Sequence, residues 1–383
     1  MVQGKSSLPS PSPSPSPPPT PSTSHSRHII SLNAMFSFTT PAGIIMAAAA
    51  LSFIDMRQHP TAFAPPSWHS RRMVHCDRHR SRGTAAIPTE LCLSSSDIQA
   101  KLRAQMAKLQ ERDRSSRDIS PDELDVIYED EHLAVINKPS GVLTVPGKEG
   151  NPSLNKVAFC RFGCESNRMD KMVVHRLGMD TSGLVVFART NAALRDLNAL
   201  FRTRKVTRKY EALVCGHVMN DSGVIDLPIM RDYECPPYMR VSTAEHQRAL
   251  LGLDPGEVGK KILESPKESL TMYEVISREE LDGRDVTRMT LTSVSGRTHQ
   301  LNVHCAAIGH PIVGDAVYGY GGEAASNGGL DESELPDGCA SEELRREISV
   351  AVAGRSMCVH AKSISFEHPI TKEDLSFDCP APF

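Results

Sequence analysis

Leu184-Val-Val-Phe-Ala188 is an apolar, β-branched and aromatic run that reads as a buried strand. It is entered through Thr181-Ser-Gly183 from a short turn-like stretch that carries His175, Arg176 and Asp180. Polar and charged groups concentrated on a loop with rigid structure behind it are the usual layout of a site. A polar turn before a strand is the plainer reading, and an isolated His-Arg-x-x-x-Asp would support nothing more. The rest of the chain has to decide between the two.

With 383 residues, 39% of them hydrophobic, the chain can build one large domain or two ordinary ones. Its charge is uneven. Residues 1–85 hold eight Lys/Arg against Asp55 and Asp77, whereas the remainder is net acidic. A globally basic nucleic-acid binder is therefore excluded, and any contact with a polyanion must use a local patch. The ten cysteines form no C-x-x-C pair. They read as reduced thiols in a non-oxidising compartment, and no metal site is expected.

Residues 1–34 include a Ser/Pro alternation at 8–22 that cannot bury a core. From Met35 the character changes. Ile44–Phe53 has the length of a signal-peptide core and is too short to span a bilayer. Thr61-Ala-Phe-Ala-Pro-Pro66 follows, and then a stretch to Gly83 rich in Arg, His and Ser. The order resembles the bipartite leader of algae with secondary plastids. The resemblance implies a targeting leader over 35–85, a plastid destination and Met35 as the true start. A disordered extension with an accidental apolar patch is the competing reading, with the mitochondrion or cytoplasm as alternative destinations.

Residues 86–122 read as a linker containing an amphipathic helix over 96–114, with Leu102, Met106 and Leu109 on one face and Ser96 as a possible cap. A hairpin is expected over Asp125–Gly141, its second strand ending at Asn137-Lys138-Pro139. Leu194, Leu197 and Leu200 place a helix over 191–201. Arg202, Arg204, Lys205, Arg208 and Lys209 then precede a strand at Tyr210–Cys215. Strands are expected at Leu270–Ile276 and Val286–Val294, and a helix face at Leu301, Cys305 and Ile308. Residues 245–267 and 321–356, rich in charge, Gly, Ser and Pro, read as exposed insertions, the second with a short helix at 341–348.

The hairpin ending at Gly141, the loop at 174–183, the block Gly296-Arg-Thr-His-Gln300 and the run His310-Pro-Ile-Val-Gly-Asp315 with Tyr318-Gly together resemble the RluA/RsuA-like pseudouridine synthases, of RluA type. The resemblance covers about 123–380 and implies a catalytic domain over 123–383. It implies an α+β fold, a large mixed and mainly antiparallel sheet around a central cleft with flanking helices. No amino-terminal S4-type module is evident. The implied reaction isomerises uridine to pseudouridine in rRNA or tRNA without cofactor or metal, after the nucleotide has been flipped out of its stack. A monomer that does not touch membranes in its mature form is expected.

By the same resemblance, Arg176 fills the space left by the flipped base, Tyr210 holds that base, and Arg297 pairs with the catalytic carboxylate. His175 and the five bases at 202–209 are expected to contact RNA. Asn302 stands where the family often has Arg. One departure concerns the chemistry itself: the family's His-Arg-Leu-Asp reads His175-Arg-Leu-Gly178 here. Glycine supplies no nucleophile, which leaves Asp180 as the candidate acid, and a catalytically inactive RNA-binding relative as the alternative. A hydrolase built on His175, Ser182 and Asp180 fails on locality, because three members within eight residues can hardly converge on one point.

Overall fold

The computed structural model describes residues 94–383 and the backbone of a two-residue strand at 62–63, all within one unit, Pro60–Phe383. Apart from those two residues, the Ser/Pro extension and the expected leader lie outside the described residues.

The first half comprises β1 (Ala62–Phe63), α1 (Ser95–Arg114), β2 (Asp125–Glu129), β3 (Leu133–Lys138), α2 (Leu154–Phe162), β4 (Ser182–Ala188), α3 (Asn191–Arg202) and β5 (Thr207–Cys215). The second comprises β6 (Ser222–Asp226), β7 (Ile229–Arg231), β8 (Met239–Val241), α4 (Ala244–Leu250), α5 (Pro255–Val258), β9 (Leu270–Leu281), β10 (Arg284–Ser293), α6 (Gln300–Ala307), α7 (Glu342–Ala351), β11 (Val359–Glu367) and β12 (Asp374–Asp378). One sheet runs β1-β6-β9-β10-β5-β11-β4-β3-β2, with β12 on β11, and β7-β8 form a separate ribbon. Among the strands of the described residues, only β1-β6 and β4-β11 pair in parallel. This is the mixed, mainly antiparallel α+β sheet that the sequence implies.

The run at 182–188 is buried at every position and lies between β3 and β11. Its entry depends on Gly183, which has a φ of 109° and pairs with Ala361 of β11. A Cβ at Gly183 would collide with the Ala361 backbone, so the close approach of β4 and β11 requires glycine here. β9 runs past its expected end at Ile276, and β10 starts before its expected beginning at Val286. Asp282 and Gly283, both at positive φ, close a two-residue hairpin whose twist matches its strands.

Three expectations are corrected. Ser94 caps α1 in place of Ser96, because Ser94 and Asp97 form a reciprocal capping box. The segment 245–267 is not merely exposed: α4 and α5 lie in it, and its Val258 and Ile262 are buried with Ile98 of α1 and Tyr233. The segment 321–356 likewise contributes Ile348 and Val352 of the α7 region to a cluster with Leu213, Val286 and Val313. In both segments a few apolar residues at helical spacing are diluted by Gly and acids, so composition concealed their packing. Among the described residues, no helix is long and apolar enough to cross a membrane.

Candidate active site

The loop before β4 is fastened from one side by the segment that follows β3. Lys138 is fully buried, and its ammonium donates to the carbonyls of Pro139, Val142 and Met179 at 2.9, 2.7 and 2.9 Å. Burial pulls its pKa down to about 7, while the three carbonyl acceptors favour the charged form. Gly141 N–H also reaches the Met179 carbonyl at 2.9 Å, and Ser140 Oγ donates to the Asp180 carbonyl at 2.8 Å. Thr144 Oγ1 donates to the Leu177 carbonyl and accepts from its N–H. Residues 177–180 are thus held at almost every peptide. Lys138 belongs to the Asn-Lys-Pro stretch that marks the hairpin's end, but nothing in that stretch announces a buried charge.

His175 turns inward. Its Nε2 accepts the Val186 N–H at 3.0 Å, and its ring stacks on Phe201 with centroids 4.7 Å apart. Burial, and then the charge of Arg208, lower its pKa to about 3, so the ring is neutral at pH 7. It braces the loop against β4 and α3 and offers no positive charge to a phosphate. Arg208, which also lies over Phe201, is half-buried; Arg202, Arg204, Lys205 and Lys209 are exposed.

Arg176 is exposed and has no carboxylate partner among the described residues. Gly178 is exposed too, and its φ is one that any residue adopts. A Cβ there would meet only Thr181 Oγ1, at 3.4 Å, so a side chain at 178 has room. Tyr210 is buried on β5 in the main core with Leu177 and Leu291.

Arg297 sits in the turn before α6, where its Nε donates to the Glu268 carbonyl at 3.3 Å. The turn is fixed by Gln300, whose Oε1 accepts from Ser295 Oγ at 2.7 Å and Arg297 N–H at 2.9 Å. Gln300 Nε2 donates to the Leu270 carbonyl and Thr271 Oγ1 at 2.8 and 3.0 Å. Asn302 donates to Asp315 Oδ2 at 2.7 Å, and Asp315 Oδ1 accepts from the N–H groups of Val317 and Tyr318. The Asn302 departure therefore retains a structural bond to the Gly-Asp element.

Asp180 does not pair with Arg297. Its carboxylate forms an ion pair with Arg112 near the end of α1, a residue that no motif or spacing places in the site. The hydrolase constellation is not assembled either: Ser182 Oγ bonds His360 Nδ1 at 2.8 Å, away from His175 and Asp180. A cavity of about 710 Å³ is lined by Lys138, Ser182, Arg288, Met357 and His360 among others, and by none of Arg176, Tyr210 or Arg297.

The profile of the RNA pseudouridylate synthase family matches residues 132–307, which span β3, the loop at 174–183, Tyr210 and the Arg297 turn. The dual-specificity RNA pseudouridine synthase RluA of Pasteurella multocida is 34% identical over 263 residues, 68% of this chain and 94% of that protein. The chain belongs to the RNA pseudouridine synthases. The RluA enzyme of Haemophilus influenzae is 35% identical over 265 residues, again 68% of this chain and 94% of that protein. The solved human RNA pseudouridylate synthase domain containing 1 has a TM-score of 0.48 at 26% identity, covering 70% of this chain and 87% of its own. As a synthase of RluA type, the protein is an RNA-directed isomerase by family. The position that departs from the family's His-Arg-Leu-Asp is Gly178, in a loop whose backbone is otherwise strapped in place.

Proposed function

We propose that this synthase isomerises uridine in an organellar rRNA or tRNA, with Asp180 as the working carboxylate. The observation that carries this reading is the Arg112–Asp180 ion pair: it supplies the loop's one carboxylate with a cationic partner, the role that the family gives to the basic residue of the Gly-Arg-Thr-His-Gln motif. Arg176, exposed and without a carboxylate partner, is free to enter an RNA stack, and the exposed Arg202, Arg204, Lys205 and Lys209 offer the phosphate contacts that hold a flipped nucleotide in register. In the reaction, the N1–C1′ bond of uridine breaks, the base rotates, C5 bonds to C1′, and the C5 proton leaves while N1 takes up a proton, so that the product is an isomer. The plastid is the proposed compartment, on the strength of the leader at 35–85.

The mature protein is incubated with organellar RNA tritiated at uracil C5. Tritium release by the wild type, abolished by Asp180→Asn, is the expected result. Release that appears only in Gly178→Asp, with RNA binding unchanged, would instead make the natural protein an RNA binder without chemistry. A Cβ at 178 would meet only Thr181 Oγ1, at 3.4 Å, so the loop has room to begin this side chain.

A further inference from the structure

A second cluster lies apart from the strapped loop, where the β7-β8 ribbon meets the segment after it. Asp232, Glu234 and His246 each place one ligand atom so that all three lie within 4.8 Å of one another. Asp232 follows β7, and His246 is in α4. Asp232 is fully buried. Its Oδ1 accepts the N–H groups of Glu234 and Cys235 at 2.8 and 3.2 Å, while its Oδ2 is buried with no hydrogen-bond partner. His246 is 3% exposed; its Nε2 faces the Arg231 carbonyl at 3.3 Å, and its Nδ1 is buried without a partner.

With the proton on Nε2 donated to the Arg231 carbonyl, Nδ1 presents a lone pair. The orientation of a metal-binding imidazole is set in this way, by the hydrogen bond of its other nitrogen. Asp232 Oδ2 and His246 Nδ1 are thus two buried acceptors without a donor, on residues whose ligand atoms lie close together. Leaving either one dry is costly, and two acceptors cannot satisfy each other. A cation satisfies both. Glu234 is exposed and adds the second negative charge. It is shared with Arg240 at 3.3 Å, so a metal would have to compete with that guanidinium for it. Lys101 of α1 donates to the Glu234 backbone carbonyl and not to its carboxylate.

We propose that Asp232, Glu234 and His246 bind a divalent metal of zinc type through one imidazole nitrogen and two carboxylates. Two carboxylates balance the charge of such an ion, and an imidazole with hard oxygens suits zinc. The ion would fasten α4 to the end of the β7-β8 ribbon, beside the stack of Tyr233 on His246 and the buried side chains of Ile98, Val258 and Ile262. This role is structural and independent of the uridine chemistry.

The test uses the full chain, stripped with a chelator and titrated with zinc alone. Retention of one equivalent per chain and a zinc-dependent rise in Tm are expected. His246→Gln should weaken zinc binding about tenfold or more. Glu234→Gln, at an exposed position, supplies a variant whose folding is not at issue, and it should weaken binding as well. Cobalt substitution separates this site from the cysteines: the expected spectrum lacks thiolate charge-transfer bands. Absence of stoichiometric zinc, affinity unchanged in both variants, or a cobalt–thiolate spectrum would each overturn the proposal.

Discussion

The loop at 177–180 and the turn at 294–299 each lean on a buried amide or ammonium side chain, Lys138 with a charge and Gln300 without one. Gln300 lies inside the motif that it organises and uses both amide atoms twice, so the motif brings its own clip. Lys138 reaches its loop from β3, and its ammonium has only carbonyls for company. A neutral clip holds its turn equally at any pH, whereas a charged one in a dry place makes the loop's anchorage depend on protonation. One clip is thus neutral and the other carries a titratable charge.

The sharpest way to break this contrast is to remove the charge. Lys138→Met takes the ammonium away from the Pro139, Val142 and Met179 carbonyls, of which Met179 keeps only the Gly141 N–H, and a loss of about 3–5 kcal/mol in unfolding free energy is expected by denaturant titration. Faster proteolysis around 177–180 should accompany it, while the turn at 294–299 stays protected. Gln300→Leu should cost less, about 2–3 kcal/mol, and reverse the pattern of protection, because several of its partners can reach water. Equal losses spread over both loops would show that the two clips belong to one cooperative unit.

The third effect is smaller and concerns sign. Lys138 titrates near 7 in the folded protein and near 10.5 when unfolded, so between these values the unfolded chain binds more protons. Its contribution to stability must then rise with pH through that window, by at most about 1.4 kcal/mol per pH unit, and be flat below it. Unfolding curves for wild type and Lys138→Met at about pH 7 and pH 9 should converge or diverge accordingly: the wild type gains on the variant as pH rises. Gln300→Leu should track the wild type. Parallel curves for wild type and Lys138→Met would mean that the three carbonyls keep the ammonium charged throughout.

The same contrast explains what could be read from the residues alone. Strand β4, the α3 stripe and the Gln300 turn were legible because periodicity and motif are local in the chain. Lys138 was not, because a lysine beside Pro-Ser-Gly reads as solvated until tertiary contacts surround it. His175 was expected at the RNA, and only the Phe201 ring and the Val186 N–H show that it faces inward. The burial of Val258 and Ile262 depends on Ile98, more than 150 residues earlier. Arg112 meets Asp180 across a similar kind of gap, from a helix that composition assigns to a linker.

Arg112→Ala gives the smallest stability change and the most informative activity change. Both partners are about one-third exposed, at 34% and 30%, so solvent screens the pair and the loss should stay below about 1 kcal/mol. If Asp180 performs the chemistry, removing its cationic partner should still lower tritium release, by about tenfold in kcat/KM, with RNA affinity little altered. Adding Arg112→Ala to Asp180→Asn should then do nothing further, since the two act through one contact. If Arg112→Ala leaves release intact while Asp180→Asn abolishes it, the ion pair is only a fastening for α1, and the carboxylate works without it. Should Gly178→Asp alone restore release to an inactive wild type, the pair would be a strut beside a site whose acid belongs at 178, and the strapping by Lys138 would explain why Asp180 cannot move to replace it.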